Sequence, residues 1–120
     1  MKNILNILLI ISLQSCIRDN PIIVVSNKSD KIIDSITTFP DLDNNTVFYN
    51  FKPNEKRKGI ILMNNLLKND GAYGISIYEN GHIIKQKAFG YYTNGGSLDY
   101  GFNVIIENDT ILIESPSFIF

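Results

Sequence analysis

The sequence predicts a mostly β domain, an antiparallel β-sandwich of immunoglobulin-like or transthyretin-like type. Three observations favour this class. β-Branched and aromatic residues recur in short runs, turn-forming residues separate the runs at regular spacing, and an Asn-Gly pair stands between two alternating segments. Many short strands with turns between them are typical of sandwiches. The alternative is an α+β fold, a single antiparallel sheet with one helix over residues 55–69.

The first half of the chain contains several predicted strands. PIIVVSN at 21–27 and KIIDSITTF at 31–39 are joined by a short polar turn, and TVFYNF at 46–51 follows. Pro53 then takes the first central position of a turn, where its fixed φ is favourable. The stretch GIILMNNLLKND at 59–70 fits both a strand and a helix, because short apolar runs do not separate the two. We expect a strand that runs into a short helical turn.

The clearest hairpin signal lies in GAYGISIYENGHIIKQKAFGY. Its Asn80–Gly81 pair is typical of a two-residue type I′ turn, which joins two antiparallel strands. Counting outward from this turn pairs Ile77 with Ile84. Side chains alternate between faces along a strand, so the same count puts Lys85 and Lys87 on the wetter face of the hairpin.

A second hairpin is predicted near the C-terminus. The segment LDYGFNVIIE turns at Asn108–Asp109 into TILIES, and its apolar residues alternate on both sides of the turn. The stretch SPSFIF at 115–120 is predicted to add a short last strand after Pro116. The total is about eight short strands.

The composition fits one globular domain and excludes some partners. The chain has 120 residues, 44% of them hydrophobic, and a formal net charge of −1. Nucleic-acid-binding surfaces are normally clearly basic, so no nucleic-acid partner is expected. Residues 52–87 hold seven Lys or Arg against three acids, whereas residues 88–120 hold four acids and no Lys or Arg. We expect the two segments to lie side by side and compensate; the alternative is a local basic binding patch.

The first sixteen residues have the pattern of an export signal. Lys2 precedes the short apolar run ILNILLIIS, and small or polar residues lead from it to Cys16, the only cysteine of the chain. The run is too short to span a bilayer, which takes about 20 residues. The segment resembles the signal peptide of bacterial lipoproteins, because Leu13, Ser15 and Cys16 match lipobox positions −3, −1 and +1.

That resemblance implies a lipid anchor. The Cys16 thiol would carry diacylglycerol, residues 1–15 would be removed as the signal peptide, and the new amine would be acylated. Several acyl chains hold a protein at a membrane far more durably than one. Residues 16–20 would then be the acylated cysteine and its tether, and residues 21–120 a single β-rich domain. The alternative is an ordinary signal peptide with a chance cysteine.

The resemblance also implies a location in the cell envelope. Ile17 follows the cysteine, where an Asp would retain such a protein at the inner membrane of enteric bacteria, so the outer membrane is favoured. The abundance of Ile, Asn and Lys is similar to that of Bacteroidetes-type proteins. The signal does not indicate which face of that membrane carries the protein.

Residue types used for catalysis and metal binding are scarce. His82, the only histidine, stands beside a predicted hairpin turn, where we expect an exposed strand-end residue and no general base. The chain has one His and one Cys, too few for a metal site built from these residues, and no cofactor is expected. DLDNN at 41–45 begins like a calcium loop, but Thr46 and Lys52 stand where that loop needs Gly and Glu. We therefore expect no catalytic residues and no metal.

The segment FGYYTNGGSLDYG is the candidate contact surface. Glycines give its backbone conformations closed to other residues, and tyrosines offer a large contact area with few rotatable bonds. The alternative is that its rings point inward and close the end of the sheet. The candidate contact residues, the last two as a charged rim, are Tyr91, Tyr92, Asn94, Tyr100, Lys85 and Lys87.

These features favour a membrane-anchored lipoprotein that acts as a non-catalytic binding module. Its partner would be a protein, as for immunity or inhibitor lipoproteins, or a glycan. The alternative is a small hydrolase that uses carboxylates, because catalytic Asp or Glu pairs are recognised by their separation in space, which a sequence does not give.

Overall fold

The computed structural model describes residues 20–40, 46–63, 69–94 and 100–114. These residues form strands and connections, and no helix occurs among them. The eight strands are β1 (Ile22–Asn27), β2 (Ile33–Phe39), β3 (Val47–Phe51), β4 (Lys56–Ile60), β5 (Gly71–Glu79), β6 (His82–Tyr92), β7 (Gly101–Ile106) and β8 (Ile111–Glu114).

The strands form two four-stranded sheets that pack face to face. The first sheet has the order β4-β1-β7-β8 and the second the order β3-β2-β5-β6. Every pair is antiparallel except β1 with β7, which run parallel. The predicted β-sandwich is confirmed, and the hairpin signals did not indicate the parallel pair.

The ambiguous stretch after the Pro turn is a strand where the structure describes it. Residues 56–60 form β4 and residues 61–63 have no regular structure, so the expected strand is confirmed and the helix alternative is wrong for this part. The predicted helical turn falls on 64–70, of which 64–68 lie outside the described residues and 69–70 have no regular structure. The predicted last strand at 115–120 also lies outside them.

Buried side chains from both sheets form one core. Burial alternates along β1, where every second residue is inaccessible, because successive side chains of a strand point to opposite faces. Burying one large apolar side chain stabilises the fold by about 1.5–3 kcal/mol. The largest fully buried side chains include Tyr73, Phe51, Phe102, Ile23, Ile36, Ile61, Ile75, Ile77 and Ile106.

A β-bulge changes the predicted register of the β5–β6 hairpin. Asn80 and Gly81 both have positive φ, 52° and 78°, as a type I′ turn requires. The first pairs out of this turn follow the prediction, but Ile77 then pairs with Lys85 instead of Ile84. One extra residue in a strand moves every later side chain to the other face. The prediction that Lys85 and Lys87 lie on the wetter outer face is therefore wrong.

The inward lysines close one side of the sandwich. Lys85 Nζ donates to the carbonyl oxygens of Glu107 and Asn108, at 2.8 and 2.5 Å. Lys87 Nζ donates to the carbonyl oxygen of Ile111 on β8, at 2.8 Å. Both ammonium groups thus reach from edge strand β6 to the β7–β8 hairpin of the other sheet.

An arginine closes the opposite side. The Arg57 guanidinium on β4 donates to the carbonyl oxygens of Tyr49 and Asn50 on β3. Its Cζ lies 4.7 Å from the centroid of the Phe51 ring, a cation–π distance. Glu55 forms an ion pair with this guanidinium at 2.7 Å. Both open sides of the sandwich are therefore bridged by cationic side chains that bind backbone carbonyls.

The sandwich has two distinct ends. At the near end β1 begins beside Gly101, the first residue of β7. At the far end four connections meet: β1–β2, β3–β4, β5–β6 and β7–β8. There the Asn27 N–H donates to the Glu55 carbonyl oxygen at 3.0 Å, and the Asp30 N–H donates to Asn108 Oδ1 at 2.9 Å.

Candidate functional site

A cleft of about 370 Å³ opens at the far end, and we call it the far-end cleft. Three segments distant in sequence line it: the β1–β2 connection, the β5–β6 hairpin and the β7–β8 turn. Its volume lies in the range of small-molecule and side-chain pockets. The lining residues are Ser29, Asp30, Lys31, Ile32, Ile33, Ile77, Tyr78, Glu79, Ile84, Lys85, Ile106, Asn108 and Asp109.

Asn27 fixes the wall formed by the β1–β2 connection. Its side chain is fully buried, and its Nδ2 donates to the carbonyl oxygens of Lys31 and Phe51, at 2.9 and 3.0 Å. Its Oδ1 accepts from the backbone N–H and the hydroxyl of Ser29, at 3.0 and 2.6 Å. A buried amide with this many partners holds its loop in one conformation, so this wall is formed before any ligand arrives.

Hydrogen bonds between the connections fix the rest of the rim. Asn108 Oδ1 accepts from Asp30, and the Asn108 carbonyl oxygen accepts from Lys85 Nζ. Asp34 Oδ2 accepts from the Asn80 N–H at 2.8 Å, which joins β2 to the hairpin turn. Bonds of this kind between segments make the cleft a rigid feature of the fold.

The floor and the mouth of the far-end cleft are lined by isoleucines. Ile33, Ile77 and Ile106 are buried and form the floor. At the mouth, Ile32 and Ile84 keep 60% and 51% of their surface exposed. Two exposed aliphatic side chains beside one concave surface favour contact with an apolar group, because contact would remove their surface from water.

Polar and charged groups surround this apolar interior. The carboxylates of Asp30, Glu79 and Asp109 and the ammonium of Lys31 also line the cleft. Among residues 20–40, 46–63, 69–94 and 100–114, no group of three His, Cys, Asp or Glu is placed to hold a metal ion. His82 is exposed at the first position of β6, as expected. Cys16 and the stretch 41–45 lie outside the described residues.

The predicted tyrosine surface is only partly exposed. Tyr91 and Tyr100 keep 65% and 62% of their surface accessible, but Tyr92 keeps only 8%. The Tyr92 ring centroid lies 5.5 Å from that of Tyr73, inside the core. Tyr92 is therefore a core residue, in agreement with the alternative that its ring points inward. Asn94 is exposed, and its N–H donates to Asp70 Oδ1 at 3.0 Å.

The predicted charged rim is not beside these tyrosines. Tyr92 pairs with Gly71 at the near end, whereas Lys85 lies by the β7–β8 turn at the far end. The structure thus separates the two parts of the predicted contact surface. Residues 95–99 of that segment lie outside the described residues.

The fold and the cleft define a β-sandwich protein with a rigid, isoleucine-lined cleft at one end. No family model matches the chain, and neither a curated protein nor a solved structure is significantly similar to it. Among the described residues no helix is long and apolar enough to cross a membrane.

Asn27 is the cleft-forming residue whose structural role the sequence pattern most nearly indicates. An Asn followed two residues later by Ser, in a polar turn, is typical of side-chain-to-backbone hydrogen bonding. The cleft itself had no such signal, because its three walls come from segments about 25–80 residues apart, which strand pairing and the packing of the two sheets bring together.

Proposed function

We propose that this protein is a lipid-anchored, non-catalytic binding module of the bacterial cell envelope. The pattern at Leu13–Cys16 supports the anchor, with acyl chains on Cys16. The first strand that the structure describes begins at Ile22 at the near end, and in this proposal residues 16–20 connect the membrane to that end. The far-end cleft then lies at the opposite end of the sandwich, directed away from the anchor and open to a partner.

We further propose that the partner is a protein and that the far-end cleft receives one of its apolar side chains. The observation that carries this proposal is the pair of exposed isoleucines, Ile32 and Ile84, above a floor of buried isoleucines. Interfaces gain most of their energy from a few anchors that fill preformed, water-excluding pockets. An immunity or inhibitor lipoprotein would use such a cleft to hold its target.

Aspartate substitutions at the mouth test this function. Ile32→Asp and Ile84→Asp place a charge where a partner's apolar group would lie, and we expect each to lower the capture of the partner from the native envelope by about tenfold or more. The matched control is Ile60→Asp, because Ile60 on β4 is 50% exposed and lies outside the cleft. Thermal melts of all three variants check the fold. Equal capture by the wild type and both cleft variants would remove the cleft from the proposal.

A small carboxylate-dependent hydrolase is the second candidate. Its supporting observation is that Asp30, Glu79 and Asp109 line one cleft. Reproducible turnover of any substrate by the purified protein, abolished by Asp30→Asn or Asp109→Asn, would favour this candidate over a binding module. Retained partner capture by the same two variants would favour the binding module.

A further inference from the structure

On the outer face of the second sheet, side chains of neighbouring strands line up in rows. Three of these rows contain no charged side chain. The inward residues of this sheet include Ile36, Ile75 and Ile77, so their neighbours in sequence point outward. Strand pairing aligns these outward residues in rows. The rows are Tyr49, Ser35, Tyr78 and Ile83; then Val47, Thr37, Ser76 and Gln86; then Phe39, Gly74 and Ala88.

Two contacts confirm that these side chains share one face. Gln86 Nε2 donates to Ser76 Oγ at 2.9 Å across β5 and β6. The Phe39 ring lies over Gly74, since a Cβ added there would collide with it. The lysines of β6 point the other way, into the sandwich, because the bulge reverses their side. An exposed strand would normally place its charges outside, so this neutral face is a specific feature of the molecule.

Two tyrosines on this face are spaced for a repeating ligand. Tyr49 and Tyr78 both pair with Ser35, one from each side, so their backbones are two strand spacings apart, about 9.5 Å. Tyr49 is 65% exposed and Tyr78 is half-buried. Their rings offer flat apolar surfaces with a hydroxyl at the tip, and the Ser35 hydroxyl stands between them.

This chemistry matches a neutral sugar chain better than other ligands. A pyranose ring has an apolar face that stacks on an aromatic ring and hydroxyls that bond to Ser, Thr, Tyr and Gln. A charged polymer would find no opposite charge in the three rows. A protein interface has an apolar centre, whereas on this face the exposed aliphatic residue Ile83 lies at the edge.

We propose that this outer face binds a neutral polysaccharide, with Tyr49 and Tyr78 stacking on sugar rings and Ser35, Thr37 and Gln86 bonding to its hydroxyls. Tyr78 of this face also lines the far-end cleft, but Tyr49, on which the proposed site depends, does not. The proposal therefore goes beyond the protein-binding function and stands without it.

Affinity electrophoresis of the full chain, purified in detergent, tests the proposal. Native gels contain starch, dextran, galactomannan, xylan or laminarin as neutral probes and alginate as a charged one. We expect at least one neutral polysaccharide to retard the protein, and Tyr49→Ala to weaken that binding by about tenfold. The matched control is Tyr100→Ala. Tyr100 is 62% exposed, nearly as much as Tyr49, and it directly precedes strand β7 of the first sheet.

The outcomes separate this proposal from the function of the cleft. Retardation that is lost in Tyr49→Ala and kept in Tyr100→Ala and Ile84→Asp supports the polysaccharide site. No retardation by any neutral probe, or equal retardation of Tyr49→Ala and wild type, overturns it. The proposal is also overturned if no polysaccharide retards the wild type and Tyr49→Ala loses protein-partner capture or self-association. The face would then be a protein interface.

Discussion

Asn27 shows how one buried polar side chain can organise an end of the sandwich. Its amide joins the β1–β2 connection to the last residue of β3 through Lys31 and Phe51. Each bond contributes about 1 kcal/mol net, but an unpaired buried group costs about 1–3 kcal/mol. The cost of losing this amide therefore includes the desolvated partners that it leaves unpaired.

Asn27→Ala should lower the free energy of unfolding by about 2–4 kcal/mol, because it leaves the Phe51 and Lys31 carbonyl oxygens and the Ser29 N–H without their partner. Urea unfolding measures the change. Asn103→Ala is the control: Asn103 is half-buried on the outer face of the first sheet, and we expect a change of about 0.5 kcal/mol or less. Similar losses in the two variants would contradict the role given to Asn27.

Glu55 gives the fold a pH dependence at the β3–β4 turn. The hydrogen bond from Arg57 is the main cause that lowers the pKa of Glu55 from its ordinary value of 4.5, and the Lys52 N–H also donates to the carboxylate. A pKa that is lower in the folded state means that the ionised group stabilises folding. That stabilisation is present above the unfolded pKa and is lost as the pH falls through the folded value.

The stability difference between wild type and Glu55→Gln should therefore be present at neutral pH and decrease below pH 4.5, as the pH falls through the lowered pKa of the folded-state carboxylate. Urea unfolding at several pH values measures it. Because the pair is partly exposed, the difference should also shrink in high salt. A difference that grows towards acid pH would show that another group controls this region.

At the scale of elements, the β-bulge in β6 determines which residues face the core. It turns Lys85 and Lys87 towards the other sheet, where β8 and its turn accept their hydrogen bonds. β6 is an edge strand with exposed Ile83 and Ile84. A bulge and inward-pointing charges are two known means by which edge strands avoid pairing with other chains.

Replacing both inward lysines by valine should therefore promote self-association through β6. We expect Lys85→Val with Lys87→Val to increase the apparent mass in light scattering at concentrations where wild type shows no increase. Gln86→Val is the control, because it adds the same apolar side chain to the same strand but faces outward. If the control associates as strongly as the double variant, general hydrophobicity explains the effect.

The hairpins also show how much of the fold a sequence can predict. Asn80–Gly81 and Asn108–Asp109 specify turns through local backbone preferences, and the structure has both. The register beyond Ile77 was not predictable, because it places lysines where they donate hydrogen bonds to backbone carbonyl oxygens of the other sheet, as Lys87 does to Ile111. Tyr92 was equally ambiguous, because its burial depends on packing against Tyr73 of the neighbouring strand β5.

At the scale of the whole molecule, the proposed lipid anchor makes the location of the protein depend on the single thiol of Cys16. Cys16→Ser should move the protein from the membrane fraction to the soluble fraction and abolish incorporation of labelled palmitate, because no other thiol exists to carry diacylglycerol. Membrane fractionation and mass spectrometry of the N-terminus measure both effects.

The thermal melt of the released Cys16→Ser protein should match that of the wild type, since the substitution leaves the buried side chains from Ile23 onward unchanged. Unchanged membrane association of Cys16→Ser would contradict acylation and favour an ordinary signal peptide.

The position of β1 has a consequence for how the chain acquires its structure. The first strand of the described part of the chain, β1, lies in the middle of its sheet, and its parallel neighbour β7 is complete only at Ile106. No early segment can therefore form this sheet alone, and closing so long a loop makes folding slow, in the range of about milliseconds to seconds. A nascent chain of this design cannot complete its sandwich until nearly all of it has been synthesised, which would suit transport through a channel that accepts only unfolded polypeptide.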